Sequence, residues 1–211
     1  MLADDGSTDG TRELLAQLEA SCPDVSIVNL PKHAGKAETV RQGMLFALQS
    51  PDLAAVKWFG YWDVDMSTPL EEVERMLAYA DRLYPSAEVI LGSRVHRIGS
   101  DIRRSTMRHI LGRVFATLVG VLFPDLGVYD SQCGAKLFKR KAAEQAFAQP
   151  FVTDWVFDVE LILRLRDKQA VEDPLTLWHE KGKGHVRPLR IGPRVLLDLY
   201  RLKKAYGKKD L

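Results

Sequence analysis

The sequence predicts an α/β fold with a largely parallel sheet flanked by helices. Short apolar runs alternate with stretches of helical spacing, as repeated βα units require. Two acidic clusters, Asp4-Asp5 and Asp63-Val64-Asp65, stand directly after apolar runs, the position at which the carboxyl edge of a parallel sheet meets its ligands. The chain of 211 residues is long enough for one such domain.

The elements follow in order. Thr8 or Asp9 can cap a helix running to about Glu19, with Leu14, Leu15 and Leu18 on one face. Val25 to Leu30 reads as a strand. Gly35 to Leu48 reads as a helix that turns Val40, Met44 and Ala47 inward. Val56 to Trp62 reads as a buried strand running into Asp63. Pro69 suits the first turn of a helix reaching about Leu83, where its missing N–H costs nothing. Glu88 to Gly92 is a further strand. Arg103 to Leu122 is a long helical candidate with Met107, Ile110, Val114, Leu118 and Val121 on one stripe. A short strand at Lys136–Phe138, a helix from Phe157 to Leu165 and a strand from Ala170 to Trp178 come next. Pro193 starts a last helix with Val195, Leu199, Leu202 and Tyr206 on one side and cations on the other. Only Met1-Leu2-Ala3 precede the first acidic cluster, fewer than an ordinary central strand needs, so the chain is expected to enter its domain part-way.

Hydrophobic residues make up 46% and charged residues 27%, a composition that excludes a disordered chain. Cys22 and Cys133 form neither a metal-binding spacing nor a disulfide framework, which suits a reducing compartment. The first residues, MLADDGSTDG, do not read as a signal peptide. The most apolar stretch, Val114 to Phe123, falls short of the roughly 20 residues that span a bilayer. The formal charge of +2 hides a split: residues 181–211 carry ten Lys and Arg against Asp198 and Asp210, which leaves the remainder at −6. Residues 94–113 add six Arg against Asp101 alone. Charge segregated in this way points to an anionic partner for two segments.

The polar clusters admit several chemistries. Asp5, Ser7, Asp9 and Gly10 fit the start of a calcium loop, but its twelfth position falls on Ala16, where a bidentate acid is needed. What remains is a helix-capping loop, or a strand-end loop whose acids and backbone N–H groups hold a ligand. His33-Ala-Gly-Lys36 fails as a P-loop because Leu30 stands where glycine is required, although a Gly-Lys at a helix start still brings a cation to a phosphate. Asp63 and Asp65 alternate onto one side of a strand end, and close carboxylates recruit a hard cation such as Mg²⁺ or Mn²⁺ together with phosphate oxygens. Asp130-Ser-Gln-Cys-Gly134 places an acid, an amide and a glycine just before a strand, as an ordinary turn also does. His179 or His185 reaching a metal competes with an ordinary surface or core histidine.

Together these segments resemble the family 2 inverting glycosyltransferases of the GT-A fold, a Rossmann-like nucleotide-diphospho-sugar transferase architecture. The closer resemblance is to the dolichyl-phosphate β-glucosyltransferase-like and polyprenyl-phosphate glycosyltransferase branch. The motifs are Asp4-Asp-Gly-Ser-Thr-Asp-Gly-Thr11, Gly35-Lys36, Asp63-Val-Asp-Met-Ser-Thr-Pro69, Gly92-Ser-Arg94, Asp130-Ser-Gln-Cys-Gly-Ala-Lys-Leu-Phe138 and Phe157-Asp-Val-Glu-Leu161, in family order. The family's opening strand and its Pro-x-x-Asn-Glu loop have no counterpart here.

The resemblance implies roles. Asp4, Asp5 and Lys36 would bind the donor nucleotide, and Asp63 the donor sugar or ribose. Asp63 and Asp65 would hold Mg²⁺ or Mn²⁺ against the diphosphate. Asp130 would be catalytic, by positioning the sugar or taking a proton. Gln132 would face the acceptor, and Arg94 and Arg104 would hold the acceptor phosphate. It implies inverting transfer of a sugar, with glucose from UDP-glucose favoured, to a polyprenyl or dolichyl phosphate. A catalytic domain over residues 1–185 and a basic amphipathic helix over 186–211 would then lie peripherally on the cytoplasmic face of an anionic membrane. A soluble acceptor and a non-catalytic homologue are the alternatives. The basic tail contains no recognisable nucleic-acid module, and no nucleic-acid partner is expected.

Overall fold

The computed structural model describes residues 1–181 and 188–207, with the side chains of the last helix described from Gly192 onward. The elements are β1 (Leu2–Asp4), α1 (Thr11–Ser21), β2 (Ile27–Asn29), α2 (Lys36–Gln49), β3 (Trp58–Trp62), α3 (Glu71–Leu83), β4 (Val89–Ser93) and β5 (Asp101–Arg103). They continue with α4 (Thr106–Leu122), β6 (Ala135–Lys139), α5 (Arg140–Phe147), α6 (Phe157–Arg164), β7 (Ala170–Pro174), β8 (Leu177–His179) and α7 (Pro188–Tyr206).

The main sheet has the order β3-β6-β4-β7. β3, β4 and β7 run the same way, and β6 runs against them. This reversal assembles the site. Trp62 at the end of β3 pairs with Ala135 at the start of β6, and Gly92 near the end of β4 pairs with Asp173 of β7. The residues that follow β3 and β4 therefore share one edge with the residues that precede β6. Two parallel pairs stand apart from this sheet, β1 with β2 and β5 with β8.

Side-chain alternation puts a helical layer on each face of the sheet. Phe59, Tyr61, Leu91 and Phe138 point into a cluster with Met44, Phe147, Phe157 and Leu161 from α2, α5 and α6. Ile90, Ala135 and Leu137 point the other way, onto Met76 and Ala80 of α3. A third cluster joins Val119 of α4 and Val159 and Leu163 of α6 to Leu199 and Leu202 of α7. Tyr206 adds a hydrogen bond from its hydroxyl to Glu160, at 2.9 Å, so the basic helix is fastened to α6.

Two apolar stripes do not face the core. No residue of α1 is buried, and Leu14 is 66% exposed. In α4, Phe115, Val119 and Leu122 pack inward, while Met107, Ile110, Val114 and Val121 are 65%, 53%, 54% and 73% exposed. The helix is apolar over more of its circumference than the core uses, so periodicity alone does not choose the inner face. The run from Ala170 to Trp178 divides into β7 and β8. Glu72 enforces the break, accepting bonds from the Thr176 N–H, Thr176 hydroxyl and Leu177 N–H.

Candidate active site

The donor-side residues form a linked set. Asp5 follows β1 and accepts the N–H groups of Ala34 (2.7 Å) and Gly35 (3.1 Å), drawing the start of α2 against the first loop. Gly35 has φ of +90°, and a Cβ there would press on the Asp154 carboxylate, so glycine fits this turn best. The next residue, Lys36, reaches Asp63 beyond β3, with Nζ 2.6 Å from Oδ1. Burial disfavours the Lys36 ammonium, but Asp63, Asp158 and Asp65 outweigh it and raise its pKa.

Asp63 and Asp65 are fixed by a tight turn. The Asp63 N–H donates to Gly134 O at 3.0 Å, and the Met66 N–H donates to Asp63 O at 3.1 Å. The Ser67 N–H donates to Asp65 Oδ1 at 2.8 Å, and Met66 takes a left-handed φ of +53°. Gly134 has a specific role here, because a Cβ at that position would overlap the Asp63 carboxylate. Among the described residues no group of three or more His, Cys, Asp or Glu could hold a metal. Two solvent-facing carboxylates fit an ion such as Mg²⁺ or Mn²⁺ that takes its remaining ligands from water and a diphosphate.

Asp4, expected to contact the nucleotide, is engaged within its own loop. Its side chain is 2% exposed, accepts the Ser7 N–H at 3.0 Å and is paired with Arg12 Nε at 3.1 Å. These bonds, the one from Ser7 first, lower its pKa against the opposing effect of burial. Asp4 holds the loop, while Asp5 stays partly open. The calcium-loop candidate Asp9 likewise acts locally, accepting the Thr11 N–H and hydroxyl.

Beneath the donor residues lies a network that spacing did not single out. Lys136 of β6 is fully buried, with Nζ 2.6 Å from Asp158 Oδ1 of α6, and the Tyr61 hydroxyl donates to the same oxygen. The available signal was a charged residue at a core position of each element. Lys136 lies between Ala135 and Leu137, and Asp158 between Phe157 and Val159.

On the other side of the edge, Arg94 follows β4 and binds Asp130 through Nε–Oδ2 and Nη2–Oδ1 contacts of 2.7 Å each. Burial alone would raise the Asp130 pKa, but Arg94 overrides it and holds the carboxyl at about 2. Asp130 is thus a poor proton acceptor near neutrality, and both of its oxygens are engaged. Arg94 also lies 5.5 Å over the Trp178 ring. Gln132 Nε2 is buried without a hydrogen-bond partner.

Arg104 packs across Gly112, where a Cβ would collide with its guanidinium. Burial and the like charge of Arg94 lower its pKa. These residues line a cavity of about 930 Å³ between α4, α7 and the 129–132 loop. Its wall also holds Arg108, paired with Glu180 at 3.0 Å, and Arg113, 3.7 Å over the Tyr129 ring. Four guanidinium groups therefore face two carboxylates, Asp130 and Glu180.

Two histidines and one cysteine remain from the sequence reading. The His179 ring is bonded to Asp101, Nε2 to Oδ2 at 2.8 Å, and its backbone N–H donates to Ser67 O at 2.9 Å. His185 lies outside the described residues. Cys133 is buried and its thiol is pushed up to about 12 by that burial. No helix among the described residues is long and apolar enough to cross a membrane.

The dolichyl-phosphate beta-glucosyltransferase of Saccharomyces cerevisiae is 29% identical over 98% of this chain and 64% of its own length. The Drosophila melanogaster protein of the same name is 32% identical over 98% of this chain and 63% of its own. The chain thus spans a little under two thirds of these relatives. The glucosyl-3-phosphoglycerate synthase from Mycobacterium tuberculosis, in complex with Mn²⁺ and uridine-diphosphate-glucose, superposes with a TM-score of 0.64 at 18% identity, over 99% of this chain and 68% of its own. That likeness shows a shared GT-A architecture. The family model for glycosyl transferase family 2 matches residues 1–147, which include the acidic turn, the Arg94–Asp130 pair and β6, and the chain belongs to that family.

Proposed function

We propose that this chain transfers glucose from UDP-glucose to a polyprenyl or dolichyl phosphate, with inversion at the anomeric carbon. The observation that carries the reading is the shared edge: the acidic, partly open turn at Asp63–Asp65 follows β3, while Arg94 after β4 and Asp130 before β6 line a cationic cavity with Arg104. The relatives named above support the sugar and the acceptor class.

Asp63 and Asp65 would hold a divalent ion, Mg²⁺ or Mn²⁺, which would supply charge neutralisation for the departing nucleoside diphosphate. Asp5 and Asp4 shape the donor loop, and Lys36 brings its ammonium to the donor's phosphates or ribose. An oxygen of the acceptor phosphate attacks the anomeric carbon as the bond to the nucleoside diphosphate breaks. A phosphate monoester has a second pKa of about 6, so the nucleophile is already an anion and needs little help from a base. Arg94 and Arg104 orient it, with Gln132 as a further donor. Asp130 acts as a positioning residue that fixes the Arg94 fork.

A lipid acceptor places the enzyme at an anionic, cytoplasmic membrane face, with the cations of α7 as an electrostatic contact. A soluble phosphorylated acceptor gives the apolar wall of the cavity nothing to do. The test is UDP release by the purified chain with UDP-glucose, Mn²⁺ or Mg²⁺, and a prenyl phosphate in detergent. Release that needs both the metal and the prenyl phosphate is expected. UDP-glucose binding without transfer to any phosphate acceptor would overturn the reading in favour of a non-catalytic homologue.

A further inference from the structure

The segment between α5 and α6 touches α6, α7 and the donor turn. Glu160 of α6 accepts the N–H groups of Val152 and Thr153, at 2.9 and 3.3 Å. Arg164, one turn further along α6, pairs with Glu160 at 2.7 Å and donates to the carbonyls of Gln149 (2.6 Å) and Pro150 (2.7 Å). Both side chains are buried, so these bonds form in the interior, where an unmade one is costly. The end of α7 closes the same network. The Tyr206 hydroxyl donates to Glu160 at 2.9 Å and accepts from Arg164 Nε at 3.3 Å. Asp154 comes next in the chain and reaches the donor turn. A Cβ at Gly35 would stand 2.6 Å from Asp154 Oδ1, so the carboxylate abuts the place a side chain would take there. Asp5 holds the same residue by its N–H, at 3.1 Å. Phe157, three residues after Asp154, lies under Lys36, with Nζ 6.0 Å from the ring centroid. Asp154 is itself held by Arg194 of α7, Nη2 to Oδ2 at 3.5 Å.

We propose that Asp154 is a positioning residue for donor binding. Its carboxylate braces Gly35, and with it the reach of Lys36 to Asp63, while α7 keeps Asp154 in place through Arg194 near its start and Tyr206 at its end. The proposal rests on the donor-site reading above and adds a residue that lies outside the acidic turn. Gly35 has φ of +90°, and glycine has no side chain to keep it there. A neighbouring carboxylate that excludes its other conformations does so before the donor arrives. Binding then has less freedom to remove, which is preorganisation. The last helix therefore serves the donor side from within the fold, whatever its cations meet outside.

The test is UDP-glucose binding with Mn²⁺ in the absence of lipid, together with both KM values measured with farnesyl phosphate as acceptor. Asp154→Ala is expected to weaken UDP-glucose about fivefold, the lower end of the cost of fixing one residue's backbone, and to leave the acceptor KM unchanged. Asp154→Asn keeps the shape of the brace and is expected to recover most of that affinity. Arg194→Gln is expected to weaken UDP-glucose as well, and to add nothing once Asp154 is replaced by alanine. Asp154 and Arg194 are 40% and 57% exposed, so these variants fold. Unchanged UDP-glucose binding in Asp154→Ala overturns the brace. An equal rise in both KM values also overturns it, by making Asp154 a support of the whole edge. Additive effects of Asp154→Ala and Arg194→Gln overturn the link to α7. Failure of the brace alone leaves UDP-glucose binding and glucosyl transfer equal in the intact chain and Asp154→Ala. Failure of the underlying reading shows in the intact chain itself, which then binds no UDP-glucose.

Discussion

Arg94 and Asp130 form a bidentate pair, two N–H···O contacts of 2.7 Å, and the Arg94 backbone N–H adds a third bond to Oδ2 at 3.0 Å. The carboxyl is held at about 2, below its ordinary value of 3.8, so the folded state favours the ionised form. The resulting stability is complete above pH 4 and is lost as pH falls through about 2. It amounts to about 2 kcal/mol at neutral pH. Asp130→Asn is expected to remove at least that much, as read from urea midpoints at pH 7, and to flatten the loss of stability between pH 4 and pH 2. Parallel acid profiles for the two proteins would contradict the assignment.

The Lys36 ammonium occupies one oxygen of Asp63, 2.6 Å away, and so competes with any cation for it. Lys36→Met is expected to raise the affinity for Mn²⁺ alone several-fold, measured by paramagnetic titration, while weakening UDP-glucose binding. Asp65→Asn is expected to weaken Mn²⁺ and leave the Lys36–Asp63 pair in place. If Lys36→Met weakens Mn²⁺ instead, Lys36 organises the acidic turn and does not compete for it.

How much of this could be read from the sequence depended on where the information lay. Local pattern puts Asp63, Asp65 and Lys36 at element ends, whereas Arg94 came into view only through the resemblance to the family. The contacts between them were not legible, because these depend on β6 running against its neighbours, the reversal that brings Gly134 against Asp63. The α4 stripe left its partner open for a related reason: an apolar face seen in one dimension does not say what covers it. Asp4 and Asp130 have the residue type of ligands, yet Arg12 and Arg94 close them from positions 8 and 36 residues away.

Arg104 has no ion-pair partner among the described residues and faces Arg94 across the cavity. A phosphate between them relieves the repulsion. Arg104→Gln is expected to raise the acceptor KM about tenfold to a hundredfold, the worth of a charged hydrogen bond, and to leave the donor KM unchanged. Arg104→Lys keeps the charge and loses the fork, so it should recover only part of that affinity. An equal rise in both KM values would show that Arg104 supports the fold of the edge instead.

Lys136 and Asp158 are buried at 0% and 7% side-chain exposure, with Nζ and Oδ1 2.6 Å apart. The Tyr61 hydroxyl completes Asp158, and Lys136 also donates to Cys133 O. A pair this deep contributes little beyond an apolar replacement, but breaking it strands one charge in the core. Lys136→Met or Asp158→Leu alone is therefore expected to cost about 3–5 kcal/mol in chemical denaturation. The double variant should cost clearly less than the sum, because no charge is left without its partner. The pair also lies under the Lys36–Asp63 contact, and Asp158 acts electrostatically on Lys36. Lys136→Met leaves Asp158 uncompensated and should pull Lys36 away from Asp63, raising Mn²⁺ affinity as Lys36→Met does. Strict additivity of the two single variants would refute the pair, and unchanged Mn²⁺ affinity in a folded Lys136→Met protein would uncouple it from the acidic turn.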